Sequence, residues 1–432
     1  MLHPRYKMSK DNKIKKSLRA SYWDGVCASI MIGLTQDYLV PYALALKATV
    51  KQIGLLSCLP NLGASLIQLK SADITERLLS RKRITLISVF FQALTLLPIL
   101  FIPYFPKDNK PLILIFLVMF FSGFGALSLG PWSSWMSDHI PANKRGEYFG
   151  WRNRSLGAVA VLSALFAGII LQFYKDNVLF GFLIILIFAM AARFVSWYFL
   201  ARMYEPKFRH SHEARFSFPE FIKRARESNF ARFVFFVAGL NFCVNLAAPF
   251  FAVFMLRDLR FSYLTYTILI ITVPVTTLLL IQRWGRLADR VGNIRVLKFC
   301  ACFIAGLPLP WLICRHPLFL ALIQILGGFA WSGFNLCVIN FIFDSVSPAK
   351  RTRCFSYFNV INGFFICIGA LIGGYLATHA PRLWGYQLLS LFLLSSITRF
   401  TTVFIFSPKI KEVRAGVEAI KARGIFKNIL WK

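Results

Sequence analysis

Long apolar runs alternate along the chain with short, polar and mostly basic interruptions. Twelve runs approach or exceed the roughly 20 residues that a helix needs to cross a bilayer. They are 22–46, 53–74, 84–105, 112–137, 148–173 and 179–203, then 230–256, 263–286, 295–314, 317–343, 354–378 and 384–408. The runs are long and do not alternate in polarity residue by residue. That pattern predicts helices rather than barrel strands, since only helices and closed barrels satisfy their own backbone in lipid. The expected fold is an all-α membrane protein of twelve transmembrane helices. Its parts are a basic tail over 1–21, six helices over 22–203, a linker over 204–229, six helices over 230–408 and a second basic tail over 409–432. The basic start runs directly into the first span, so no cleavable signal is expected.

Composition sharpens this picture. Of the 432 residues, 57% are hydrophobic and 16% charged, and mean hydropathy is +0.60. Soluble domains carry about 45–50% apolar and about 25% charged residues. No water-facing shell could cover this much apolar surface, which excludes a soluble enzyme and a disordered or fibrous chain.

The net charge of +32, from 50 basic and 18 acidic residues, would suggest nucleic acid in a soluble protein. Its distribution suggests otherwise. With the N-terminus inside, 38 of the Lys and Arg fall in inside segments, 9 in outside turns, and Lys70, Arg193 and Arg399 within spans. Basic residues collect in cytoplasmic loops, so both termini are expected in the cytoplasm. The basic segments then face the anionic headgroups of the bilayer, and no nucleic-acid partner is needed.

Little in the chain suggests covalent chemistry. The nine cysteines lie in or at the ends of apolar runs and none forms CxxC. They read as small packing residues, with no disulfide framework. The six histidines are in loops or tails, and His210 and His212 in the linker lack the further ligands a metal site needs. No G-x-S-x-G, H-E-x-x-H or P-loop occurs. No metal, cofactor or catalytic residue is expected. The linker alternates Phe with Lys or Arg after Pro219, as an interfacial amphipathic helix does.

The two halves repeat. Asp138, Lys144 and Arg145 match Asp344, Lys350 and Arg351 at an offset of 206, as do Asn153 with Asn359, Gly168 with Gly374 and Arg193 with Arg399. Asp37-x-x-x-Pro41 matches Asn245-x-x-x-Pro249 at an offset of 208. Six spans return the chain to its starting side, so the halves are parallel, an arrangement used by transporters with a site near the midplane.

One loop is more specific. Gly285-Arg-Leu-Ala-Asp289-Arg290-Val-Gly292 follows the eighth span, and Ala72-Asp-Ile-Thr-Glu76-Arg77-Leu-Leu79 follows the second. This resembles the G-x-x-x-D-R-x-G-R-R/K loop of the major facilitator superfamily, which stands after the second span of each half. The later copy keeps both glycines, the aspartate and the arginine, with Asn293 where a basic residue is usual. The earlier copy has Ala72 and Leu79 for the glycines, Glu76 for the aspartate and Ser80 for an arginine. The resemblance implies two six-helix bundles with pseudo-two-fold symmetry, and a loop that steadies one access state rather than binding substrate. Plain topogenic charge is the competing reading of the loop.

Ionisable residues inside a membrane are functional candidates by default. Asp37 leads, beside Gln36. Pro41, four residues on, cannot donate to the carbonyl of residue 37, so one level of one helix offers a carboxylate and a freed carbonyl. Asn245 and Pro249 repeat this with an amide, and Asn241 stands one turn earlier. Asn335, Asn340, Asn61 and Gln68 are weaker candidates. Arg193 and Arg399 could pair with a carboxylate, bind an anion or snorkel to the interface. Asp24 reads as interfacial, and Trp132 and Trp135 as belt aromatics or stacking surfaces. The expected function is transport of a small solute by alternating access in a bacterial inner (plasma) membrane, with protons as a candidate coupling partner. A transport-inactive sensor or scaffold is the first rival, and an enzyme acting on lipid headgroups the second.

Overall fold

The structure, a computed structural model, describes residues 10–78, 80–105, 109–141, 145–206, 228–346 and 351–413. The linker histidines and its Phe-rich stretch lie outside the described residues. Among the described residues are twelve long helices: α1 (Lys10–Thr35), α2 (Val50–Leu78), α3 (Arg81–Phe101), α4 (Lys110–Ser137), α5 (Arg145–Phe173), α6 (Val178–Ala201), α7 (Asn229–Asn245), α8 (Tyr263–Val291), α9 (Asn293–Gly306), α10 (Pro317–Ser345), α11 (Arg351–His379) and α12 (Gln387–Phe406). Each overlaps one of the twelve apolar runs. Several start on a side-chain cap that accepts an otherwise orphaned backbone N–H. Ser80 accepts from Arg83, Asn177 from Phe180 and Ser262 from Thr265.

Eleven helices are long and apolar enough to cross a membrane. The exception is α1, whose first half from Lys10 to Asp24 is polar and basic, and whose apolar stretch is followed directly by Gln36 and Asp37. This helix also begins at Lys10, so the region read as a basic tail is helical over its second half. Ser17 and Ser21 on that stretch are buried.

Three helices are broken. After Thr35, α1 passes through a 3-10 turn, Gln36–Tyr38, and resumes as Leu39–Ala45. The helix α7 ends at Asn245 and resumes as Ala248–Val253, followed by a π-turn over Phe254–Asp258. The helix α9 ends at Gly306 and resumes as Pro310–Ile313. Proline near each break lacks the N–H that would continue the ladder. Irregular backbone at this depth survives where it is buried in protein or lines a cavity.

The bundle has a linker side, holding the α6–α7 connection, and a far side. On the far side one hydrophobic core runs through both halves, joining Tyr42, Ile99 and Phe182 to Phe250, Phe254, Trp311 and Phe392. On the linker side the cores separate. One is built from the second half around Phe233, Trp284 and Phe341, the other from the first half around Val89, Trp135 and Leu200. The halves therefore share one core at the far side and keep separate cores at the linker side.

Contacts between the halves run along α2 with α11 and α5 with α8. Gly54 and Gly374 face each other there. A Cβ on Gly54 would stand 2.8 Å from the carbonyl of Ala370 and 3.2 Å from the Cα of Gly374, so the missing side chains permit the approach. Further along the same pair, the Asn359 amide donates to Gln68 at 3.2 Å. Cys58 on α2 and Cys367 on α11 form a disulfide between the halves. This corrects the reading of all nine cysteines as packing residues. Two residues 309 apart in sequence become neighbours only through the packing of α2 on α11.

Candidate transport cavity

The break in α1 opens onto a cavity of about 390 Å³ between the halves. Gln36, Asp37 and Val40 come from the first half. The second half supplies the broken segment of α7, with Ala248 and Pro249, and also Tyr266, Trp311, Gln324, Trp331 and Arg399. The far wall is closed by hydrogen bonds. The carbonyl of Asp37, released by Pro41, accepts from the Tyr266 hydroxyl at 2.8 Å, so the freed acceptor predicted from the proline spacing is bound by the opposite half. The adjacent Tyr38, 2% exposed, donates to the carbonyl of Ala164 at 2.6 Å and shares a hydrogen bond with Thr267 at 2.7 Å.

Of the sequence-derived candidates, Gln36, Asp37, Pro249 and Arg399 line this cavity. Asn241 and Asn245 do not: Asn245 donates to the carbonyl of Asn241 at 2.8 Å, and Asn241 donates to Asn362 on α11 at 2.8 Å. Asn335 is exposed. Asn340 lies near the linker-side end of α10 and donates to Asn293 at 3.4 Å. The aromatic wall of Trp311, Trp331 and Phe251 was not singled out from sequence, because an aromatic in an apolar run looks the same whether it faces lipid, core or cavity.

Arg193 is elsewhere, inside the first half. It is 7% exposed and does not snorkel. Its Nε and Nη2 donate to Gln92 Oε1 at 2.9 and 2.6 Å, and Nη1 donates to Ser196 at 3.0 Å. The Ser196 hydroxyl then donates to Asp24 at 2.7 Å. Asp24, 4% exposed, is thus a buried carboxylate held by a hydroxyl bridge, not an interfacial one. Arg152, also buried, donates to the carbonyl of Ser21 at 3.0 Å and lies 4.7 Å from the Trp132 ring centroid. Trp135 is fully buried and its indole donates to the carbonyl of Tyr204 at 3.0 Å. It belongs to the first-half core rather than to an aromatic belt.

The loops after α2 and α8 lie on the linker side. Gly292 has φ +93° and ψ 150°, a conformation that is essentially glycine-only, which gives the last glycine of the loop a backbone reason. Gly285 faces α10, where an added Cβ would meet Leu336 at 3.8 Å. Asp289 and Arg290 are exposed. Glu76 and Arg77 are helical, but their side chains lie outside the described residues. Beside each loop stands a clasp internal to its own half. Arg81 pairs with Asp138 at 2.6 Å, and Asn293 donates to Asp344 at 2.7 Å. At the start of α3 the backbone N–H of Lys82 donates to Glu205 at 3.0 Å, and at the start of α9 that of Ile294 donates to Glu412 at 2.8 Å. A carboxylate at a helix N-terminus meets free N–H groups and a favourable dipole. Asn293 therefore does by amide what Arg81 does by charge.

A family model described as Major Facilitator Superfamily matches residues 25–270 and again 233–431. The chain belongs to the Major Facilitator Superfamily. Among solved structures, this major facilitator is similar to a point mutant of the nucleoside transporter NupG, with TM-score 0.73 and 15% identity, covering 91% of this chain and 100% of that one. It is also similar to a bacterial homologue of the iron transporter ferroportin in an inward-facing state, with TM-score 0.68 and 12% identity over 94% and 100% of the two chains. A bacterial homologue of the human lysosomal transporter Spinster, inward-facing and unoccupied, gives TM-score 0.66 and 15% identity over 93% and 96%. At these identities the likeness is one of fold. No curated protein sequence matches the chain. Among the described residues, no group of three or more His, Cys, Asp or Glu could hold a metal ion.

Proposed function

We propose that the protein is a secondary active transporter of a small solute, working by alternating access, with Asp37 as its coupling or binding carboxylate. The observation that carries this is the cavity itself. It lies between two halves that share one core at one end and keep separate cores at the other, and its wall includes an ionisable group at a helix break. With the Cys58–Cys367 link between the halves reduced, rocking the halves about such a site would expose it to each side in turn. The loop charge asymmetry supports a cytoplasmic linker side with both termini cytoplasmic. The present state then opens inward, in a bacterial inner (plasma) membrane. A thiol reagent that cannot cross the membrane should label Lys175→Cys in intact cells and miss Arg83→Cys; the reverse pattern would overturn the orientation.

Asp37 is suited to carry a proton, because its helix gives it no basic neighbour. The titratable or charged groups around it are Tyr38 on its own helix, Tyr266 on α8 and Arg399 across the cavity. Asp37→Asn keeps size and hydrogen bonding, and the second half already carries an amide at the matching position. The expected result is a folded protein whose proteoliposome flux no longer responds to a pH gradient, or that no longer binds a cationic solute. Flux equal to wild type at every pH would reduce Asp37 to a packing residue.

A further inference from the structure

Among the described residues, the second half holds a buried cation without an anion. Arg399 on α12 is 3% exposed and borders the cavity. Its Nη1 donates to the carbonyl of Ile304 at 3.0 Å and its Nη2 to that of Val244 at 3.3 Å. Both acceptors sit at helix breaks. Pro308 has no N–H to return to Ile304, and Val244 precedes the interruption of α7. Two neighbouring side chains act on the same breaks, Ser395 donating to the carbonyl of Cys243 and Ser396 to that of Ala305, both at 2.6 Å. These carbonyls fix the guanidinium in place, but they are neutral. Among the described residues, Nε has no hydrogen-bond partner.

The internal repeat shows that this is a departure. Arg193, the matching residue, reaches a carboxylate through Ser196. The offset of 208 that aligns Asp37 with Asn245 aligns Asp24 with Arg232, which is exposed. The second half has kept the cation and lost the acid. Asp37 does not replace that acid, because among the described residues neither it nor Arg399 takes part in an ion pair. A guanidinium presents a planar fork of donors that fits carboxylate or phosphate oxygens. The rest of the wall is largely apolar, with the indoles of Trp311 and Trp331 and the ring of Phe251.

We propose that Arg399 is the anion-binding group of the cavity, and that the solute is a small organic anion, a carboxylate or phosphate on an apolar, planar body. This rests on the transport reading and names its substrate class. A cavity of about 390 Å³ is near the small end of ligand pockets and suits a body of one or two rings. With Asp37 protonated the cavity is net positive, so loading of the anion and of a proton would favour each other.

The test compares one ring carrying different charges. Melting of the purified full-length protein is followed with benzoate, phenyl phosphate, benzamide and benzylamine, at equal concentration and ionic strength. Benzoate or phenyl phosphate should give a saturable rise in melting temperature, and the better of the two separates carboxylate from phosphate. Benzamide and benzylamine should give none. Arg399→Gln should lose the anion's effect and Arg399→Lys should keep part of it. Equal stabilisation by the neutral or cationic ring, no preference for either anion, or an anion effect that survives Arg399→Gln would each overturn the proposal. Should Arg399→Gln fail to fold, the four wild-type arms still decide. An anion that binds but shows no proteoliposome flux would remove the transport reading and leave the site. Flux of a neutral solute with no anion preference would do the opposite.

Discussion

Arg193 and Arg399 occupy the same place in two copies of one six-helix unit, yet they have different surroundings. The first is enclosed by side chains, with Gln92 and Ser196 in direct contact and Asp24 one hydroxyl beyond. The second is enclosed by backbone, with the carbonyls of Val244 and Ile304 beside the breaks in α7 and α9. Burying a charge is costly unless a partner compensates it. The first half meets that cost internally and closes around its arginine. The second leaves its arginine at the wall of a cavity, where a solute can complete it. The comparison teaches that a duplicated fold can keep a residue while reassigning its role, simply by changing what faces it.

The largest expected effect comes from breaking the first-half network. Arg193→Gln removes the stronger of the two buried arginines that offset Asp24, Arg152 being the other, and removing one member of a buried pair costs up to about 3–5 kcal/mol. Folded yield on size-exclusion chromatography should collapse, and adding Asp24→Asn should restore much of it. If Arg193→Gln melts like wild type, the network is not a structural pair. Gly292→Ala comes next, forcing a side chain into a glycine-only conformation at about 1–3 kcal/mol. Arg399→Gln should cost less, under about 2 kcal/mol, because it removes hydrogen bonds to two carbonyls but leaves no opposite charge stranded. A melting temperature that falls further for Arg399→Gln than for Arg193→Gln would invert the comparison between the halves. The smallest effect on stability belongs to exposed Asp289→Asn, under about 1 kcal/mol, because the interactions of an exposed charge contribute little. If the loop steadies one access state, proteoliposome flux should still drop. Unchanged flux would leave the loop a topogenic role only.

Much of the architecture was legible in the chain. The twelve apolar runs are the twelve helices because bilayer thickness and backbone satisfaction leave one solution for a 20-residue apolar stretch. The breaks at Pro41 and Pro249 were legible because a missing N–H is a local, covalent fact. Asp37 and Arg399 stood out because charge is rare in such runs. The disulfide partner of Cys58 was not legible, nor the burial of Asp24, nor which of the in-span asparagines would meet one another. Asp24 comes soon after Arg19, the last basic residue in the first half of its helix, so its sequence neighbours point to an interface. Only the arrival of Ser196, from 172 residues away, shows that it is inside.

What the sequence by itself determined is the set of elements, their order, the repeat and the family. All of these follow from hydropathy, proline spacing and motif, which act along the chain. What only the tertiary structure decided is the pairing: which helix faces enclose a cavity, which arginine finds a carboxylate, and at which end the halves share a core. Apolar periodicity places a residue on a helix but does not say whether lipid, core or cavity lies beyond it. In a membrane protein all three accept the same side chains, so the difference between Arg193 and Arg399 exists only once the helices are packed.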